Sequence, residues 1–269
     1  MAGELKQALK DKCSGMDIPL FGVADAGRWE NPPFKPWMPE AFYPRSIFPE
    51  AKSVVVLGLP VHLPVIETAP SIWYRELYRT LNSLLDQYAW RIAEYLNERG
   101  YPSVFIPRDG YTGIDVLLEK PIAFFSHRHA AFFAGLGNFG VNNMLLTPEY
   151  GPRVRFGSVL TTAELPPDSM MEEELCTRCM ACVRMCPASA LSDKGQYPEF
   201  LTDKKACAEN SAGLEKRRLA PCGICVKVCP AGKDRTLYDR KNIGIYDEDR
   251  NLRADLKRSW EHVRSYGTR

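Results

Sequence analysis

The chain has 269 residues, 45% hydrophobic and 25% charged, enough for one large domain or two ordinary ones with buried cores. Its 35 Lys and Arg against 33 Asp and Glu leave a net +2, so charge alone makes no case for a nucleic-acid or membrane partner. No apolar run approaches the ~20 residues that span a bilayer. The N-terminal stretch MAGELKQALKDKCSGMD lacks an apolar signal core, so a cytoplasmic protein without a membrane segment is expected.

In chain order, residues 4–12 read as a short amphipathic helix and 19–24 as a strand entering the core. Residues 27–50 are crowded with proline and aromatic side chains. Proline removes backbone donors, so this stretch is expected to be an ordered wrapping loop, neither helix nor central strand. The β-branched run 52–59 predicts a buried strand. Across 71–99, Leu77, Leu81, Leu84, Leu85, Tyr88, Ile92, Tyr95 and Leu96 recur at helical spacing, and Gly100 is a fitting stop. Residues 104–107 read as a strand, about 122–136 as a helix ending in the glycine-rich segment 134–140, and 154–161 as another strand. Pro166-Pro167-Asp168 marks a hinge. The segment after 234 is charged, with a helix expected near 251–264. The expected organisation is an α+β domain over 1–168, a cysteine-rich domain over 169–234 and a tail over 235–269.

Of the 9 cysteines, all but Cys13 lie between Cys176 and Cys229. Thiols clustered in a long chain without a secretion signal point to metal rather than to a disulfide framework. The spacing is Cys176-x2-Cys179-x2-Cys182-x3-Cys186-Pro187, then Cys207, then Cys222-x2-Cys225-x3-Cys229-Pro230. Two-residue spacers let one tight loop reach three corners of a cubane, and the Cys-Pro residue turns the fourth thiolate elsewhere. In two-cluster ferredoxins that fourth cysteine ligates the other cluster. On this logic Cys176, Cys179, Cys182 and Cys229 hold one [4Fe–4S] cluster, and Cys186, Cys207, Cys222 and Cys225 hold the second. The long gap from Cys207 to Cys222 implies an inserted loop. Zinc is the competing reading, but zinc ribbons use separated CxxC pairs.

About 170 residues precede the clusters, which suggests that they feed electrons into a larger catalytic domain. The segment AGLGNFGVNNMLLTPEYG over 134–151 combines four glycines with two adjacent asparagines. It can bring backbone close to a flat ligand, although a helix C-cap and turn would use the same residues. Together with RVRFGSVLT and the two cysteine motifs, it resembles the epoxyqueuosine reductase and corrinoid-dependent reductive dehalogenase family. The similarity runs from FGVAD at 21–25 through PRSIFPEAKSVVV at 44–56 to about Pro230.

The resemblance implies a nitroreductase-like α+β core holding cobalamin, with a bacterial-ferredoxin-like two-[4Fe–4S] domain packed over it. The clusters would reduce cobalt to Co(I), and the cobalamin would then reduce a small organic molecule or modified nucleoside. By the same resemblance, Arg128, Gly135, Gly137, Asn138, Gly140, Asn142, Asn143, Leu145, Arg153 and Arg155 would line the corrin pocket. Asp109 stands where the family carries its proton-donating aspartate, and Tyr78 matches a tyrosine on the substrate side. Asp115 and Glu119 are weaker candidates for the donor, and His127 is a minor candidate for the site. A general acid beside an apolar corrin face would be kept protonated by desolvation.

A ferredoxin or flavodoxin-type protein is the expected electron donor. The family's C-terminal helical-repeat extension has no counterpart here, which makes tRNA an unlikely substrate on this reading. The alternative function is an electron-transfer protein or corrinoid reductase that serves a partner enzyme without substrate chemistry of its own. A flavin in the same core ranks last, because no flavin motif is present. Metal analysis of anaerobically purified protein should find about eight Fe per chain. Stoichiometric zinc in place of iron would contradict the cluster reading.

Overall fold

Alternation of side chains along the 53–60 strand creates the central sheet and both of its cores. In the computed structural model, which describes residues 2–31, 33, 38–109, 113–120, 123–192, 194 and 203–266, strand β2 (Ser53–Pro60) is buried almost throughout. Its Val55, Leu57 and Leu59 face one side, and Val54 and Val56 face the other, as the two-residue period of a strand dictates. Strand β1 (Leu20–Asp25) pairs with one edge of β2. The other partners are β3 (Ser103–Ile106) and β6 (Val154–Thr161), giving the antiparallel order β1-β2-β6-β3. A small hairpin, β4 (Asn138–Phe139) with β5 (Leu145–Leu146), forms a second sheet.

Helices cover both faces. Helix α1 (Ala2–Ser14) contributes Leu9 and Cys13 to the first core. Two one-turn helices follow, α2 (Pro44–Ile47) and α3 (Leu63–Ile66). The long α4 (Ile72–Asn97) starts at Ser71, whose Oγ accepts from the Tyr74 backbone N–H at 3.1 Å, and it buries Leu81, Leu85, Ile92 and Leu96 against the sheet. Helix α5 (Ile114–Glu119) comes next, and α6 (His127–Phe133) packs Ala130, Ala131 and Phe133 with Trp29 on the opposite face.

The cysteine-rich segment carries four short or medium helices: α7 (Ala181–Arg184), α8 (Lys204–Glu215), α9 (Ile224–Lys227) and α10 (Asp234–Leu237). Helix α11 (Ala254–Ser265) ends the described chain. The architecture is mixed α+β. No helix among the described residues is long and apolar enough to cross a membrane.

Four expectations are corrected. The stretch 27–50 is not free of helix: 3-10 turns at Ala26–Trp29 and Glu40–Phe42 precede α2, where Pro44 occupies the first helical turn that tolerates a missing N–H. The helix expected over about 122–136 is shortened to α6, because the Ser126 hydroxyl caps it by accepting from the His129 N–H; Ile122 lies outside the described residues. The loop inferred between Cys207 and Cys222 is largely helix α8, with Cys207 in its first turn. The expected hinge is pinned: Asp168 exchanges backbone and side-chain hydrogen bonds with Val23 of β1, both at 2.8 Å, and Lys6 closes on it at 2.6 Å.

The C-terminal segment likewise returns to the core. Tyr246 donates to the buried Glu67 carboxylate at 2.7 Å, and Arg240 pairs with the same carboxylate at 2.9 Å. Arg264 donates to the Thr68 carbonyl at 2.9 Å. Trp260 is only 3% exposed and stacks on Tyr246 at 5.8 Å. Trp260→Ala should therefore destabilise the protein by about 3–5 kcal/mol, as for other buried tryptophans. An unchanged melting temperature would show that the segment is not part of the core.

Candidate functional site

The two cysteine motifs repeat one backbone design. Met180 and Gly223 both adopt left-handed backbone, at φ 58 and φ 73, immediately before the one-turn helices α7 and α9. Those helices carry Cys182 and Cys225, and each is followed by a Cys-Pro pair. The thiols fall into two groups of four. Cys176, Cys179, Cys182 and Cys229 line one small cavity with Val141, Asn142 and Leu146. Burial pushes the Cys182 thiol up to about 12, and Cys229, Cys179 and Cys176 act in the same direction. In the other group, burial pushes the Cys207 thiol up, with Cys222 and Cys186 adding to it. Burial also raises Cys225, with Cys222 and Cys207 adding to it.

Bare thiols crowded in this way resist ionisation, and a bound metal centre is what would make them thiolates. Among the described residues, no three His, Cys, Asp or Glu side chains converge on a single-ion site. Tetrahedral zinc needs four sulfurs about 2.3 Å from one point. A cubane assigns each thiolate to a different iron and holds the ring of sulfurs wider.

The second group of thiols meets the α+β core where its loop rests on Tyr74, Ile66 and Ala69. A Cβ placed on Gly223 would lie 2.6 Å from Tyr74 Cε1, so only glycine lets the loop between Cys222 and Cys225 rest on the Tyr74 ring. One turn further along α4, Tyr78 meets Tyr74 edge-on at 6.3 Å. Tyr78 opens onto a cleft of ≈ 480 Å³ lined also by Glu76, Arg79, Asn82, Arg108 and Asp109. Arg155 of β6 lies over the Tyr78 ring at 4.3 Å and donates to Asn82 and Asp109, both at 3.0 Å. Tyr78 Oη donates to Asp109 at 3.4 Å, and Asn82 Nδ2 donates to the same carboxylate at 3.3 Å. Burial pushes the Tyr78 hydroxyl up, opposed by the Arg155 charge and reinforced by Asp109, so it keeps its proton at neutral pH.

The structure thus brings Tyr78, Asp109 and Arg155 together. Asp109 is ion-paired with Arg155, where an isolated carboxyl on an apolar face was expected. Gly110 and Tyr111, which follow it, lie outside the described residues. Asp115 and Glu119 are exposed on α5. His127 ties α6 to the sheet: one ring nitrogen meets Ser158 Oγ at 2.9 Å and the other the Pro107 carbonyl at 3.2 Å. Burial lowers its pKa to about 4, so the ring is a neutral structural link.

Several residues expected to face a corrin have internal partners instead. A Cβ on Gly135 would lie 2.0 Å from the Ser169 carbonyl oxygen, and one on Gly137 1.8 Å from that of Leu146. These glycines let the chain pack on itself. Gly140 packs against Leu146, and Leu145 is buried in the second core. Asn138 holds the start of the cluster segment through Glu173 and Leu175. Asn142 donates to the Cys225 carbonyl at 3.2 Å. Asn143 accepts at its carbonyl from Arg128. Arg153 is fully buried; it pairs with Asp234 at 2.6 Å and donates to the Cys229 carbonyl at 3.1 Å.

Sequence reasoning overlooked Tyr74, Asn82 and Arg108. Asn82 was accessible to it, since it lies four residues after Tyr78 on the same helix face.

The 4Fe-4S binding domain family matches residues 171–192, which include Cys176, Cys179, Cys182 and Cys186. A tetrachloroethene reductive dehalogenase of Desulfitobacterium hafniense is 31% identical over 201 residues, 69% of this chain and 34% of that protein. An epoxyqueuosine reductase of Bacillus cereus is 27% identical over 219 residues, 74% of this chain and 53% of that one. The chain is a homologue of the reductive dehalogenases and epoxyqueuosine reductases.

This homologue spans about a third of the length of the dehalogenases it matches. The catabolic reductive dehalogenase NpRdhA shares its fold with TM-score 0.70 over 97% of this chain and 38% of that one, at 19% identity. An epoxyqueuosine reductase solved with a tRNA stem loop aligns with TM-score 0.58 over 84% of this chain and 65% of that one, at 17% identity. Cys225→Ser should halve the iron content, from about eight to about four per chain. Cys13→Ser should leave it unchanged, because Cys13 is buried on α1, far along the chain from both motifs. Equal effects of the two substitutions would contradict the grouping of thiols.

Proposed function

We propose that this chain is a cobalamin- and iron–sulfur-dependent reductase that acts on an organic halide or a modified nucleoside. The supporting observation is the unbroken contact from the Cys222–Cys225 loop through Tyr74 and Tyr78 to the cleft at Asp109 and Arg155. On this reading Cys176, Cys179, Cys182 and Cys229 ligate one cluster, and Cys186, Cys207, Cys222 and Cys225 the other. On the same reading residues 1–168 are a nitroreductase-like core, 169–234 a ferredoxin-like domain and 235–269 a C-terminal segment, of which Arg240, Tyr246 and Arg264 bind Glu67 and Thr68.

The donor set fits two cubanes. The cleft beside Tyr78 is within the size range of small-ligand sites. The fit to a corrin rests on Arg128, Asn143 and Arg155, which are half-buried, since Gly135, Gly137, Leu145 and Arg153 serve internal packing. B12-dependent chemistry is named for a structural neighbour of this fold. When bound, cobalamin would supply a strongly reducing cobalt centre that this chain's own side chains cannot.

The protein's own contribution is positional and protic. Tyr78 carries a proton at Oη, facing the cleft. Asp109 and Arg155 hold that hydroxyl in place, and Asn82 joins the guanidinium to the carboxylate. Tyr78 is thus the proton donor on this reading, and Asp109 positions it. An acidic one-electron carrier of the ferredoxin or flavodoxin type would deliver electrons at the cysteine-rich side.

The relative solved with a tRNA stem loop brings RNA back among the candidate substrates, against the expectation from charge and length. Turnover assays should therefore pair an aryl halide with an epoxide-bearing nucleoside, free and within RNA. Tyr78→Phe should lower the rate by about 10²–10⁴-fold at unchanged iron content and cobalamin binding. A variant as active as the wild type, or a protein inactive on every probe with both cofactors bound, would contradict the proposal.

A further inference from the structure

Three cationic side chains are buried around the second cysteine motif. Arg153 is 0% exposed, and Lys227 and Arg235 are each 2% exposed. Two of them have carboxylate partners. Arg153 forks onto both oxygens of Asp234 at 2.6 Å, and Lys227 meets Glu248 at 3.2 Å and lies 4.7 Å from the centroid of the Trp260 ring.

Arg235 differs. Its Nε and Nη2 donate to the Cys229 carbonyl at 3.1 and 2.8 Å, and its remaining contacts are the Lys227 carbonyl and Tyr246 Oη. Among the described residues no carboxylate forms an ion pair with it, and its neighbour Asp234 is committed to Arg153. Carbonyl dipoles satisfy its N–H groups but cancel none of its charge. A buried guanidinium cannot shed its proton, so it needs an anion nearby.

Cys229 supplies the sulfur of the first group of four, on the cavity shared with Cys176, Cys179 and Cys182. A [4Fe–4S] cluster with four thiolates is anionic and gains one further negative charge on reduction. We infer that the buried guanidinium of Arg235 is the counter-charge of the cluster that Cys229 ligates, and that it raises that cluster's reduction potential. A fixed positive charge stabilises the more negative, reduced form, and net charge and hydrogen bonding are the protein's levers on cluster potential. The inference rests on cluster ligation alone and is independent of the corrinoid.

The test is a redox titration of the holoprotein followed by EPR, with both midpoints resolved. In Arg235→Gln one midpoint should fall while the other stays. At a fixed potential the ratio of reduced to oxidised cluster should drop about tenfold, equivalent to about 59 mV for one electron. Arg235→Lys keeps the charge without the fork and should stay near wild type. Two unmoved midpoints in Arg235→Gln, or a fall in Arg235→Lys as large as that in Arg235→Gln, would overturn the assignment. Should Arg235→Gln fail to hold its clusters, Asp234→Asn decides the matter. It leaves Arg153 uncompensated beside the same carbonyl and should raise one midpoint; no rise overturns the assignment.

Discussion

The contact between Gly223 and the Tyr74 ring sets how the second cysteine loop sits on α4. A left-handed glycine between two cysteines brings bare backbone onto an aromatic ring, and any side chain at that position would hold the loop away. The ring belongs to α4, the helix that also buries the first core and carries Tyr78 one turn later. Rigid seating of the loop on α4 therefore sets the position of one thiol group relative to the cleft. Exchange of an electron between two sites depends steeply on such spacing, and a helix packed along its length holds it more firmly than a loop would.

Electrostatics reinforce that seating. The second cysteine motif is surrounded by Arg153, Lys227 and Arg235, each of them buried. Arg153 immediately precedes β6 and grips the Cys229 loop, whereas Lys227 binds Glu248 and through it Arg264. Glu248 has its pKa lowered to about 2 despite its burial, chiefly through Arg264 and Lys227. These ties explain why the C-terminal segment is a clasp rather than a tail.

The sequence made the periodic and the spaced features legible. The strand at 154–161, the helical stripe from Leu77 to Leu96 and the paired cysteine motifs follow from period and spacing, which are local properties. Long-range partners were not legible. Gly135 and Gly137 looked like a ligand cradle because a glycine needed for contact with Ser169 or Leu146 is identical in sequence to one needed beside a cofactor. Arg153 looked like a pocket residue because nothing local announces Asp234, 81 positions away. Asp109 was identified by position, but its ion pair with Arg155 and its contact with Tyr78 join residues that are far apart in sequence.

The central claim is that the thiol group seated on α4 communicates with a cobalt cofactor at the Tyr78 cleft. Pulsed EPR on protein holding both clusters and one equivalent of cob(II)alamin tests it most directly. With the clusters reduced and cobalt still paramagnetic, the account predicts a cobalt signal split by magnetic coupling to a nearby cluster, and loss of that splitting in Cys225→Ser. An uncoupled cobalt signal, or a splitting that survives the loss of Cys225, would contradict it.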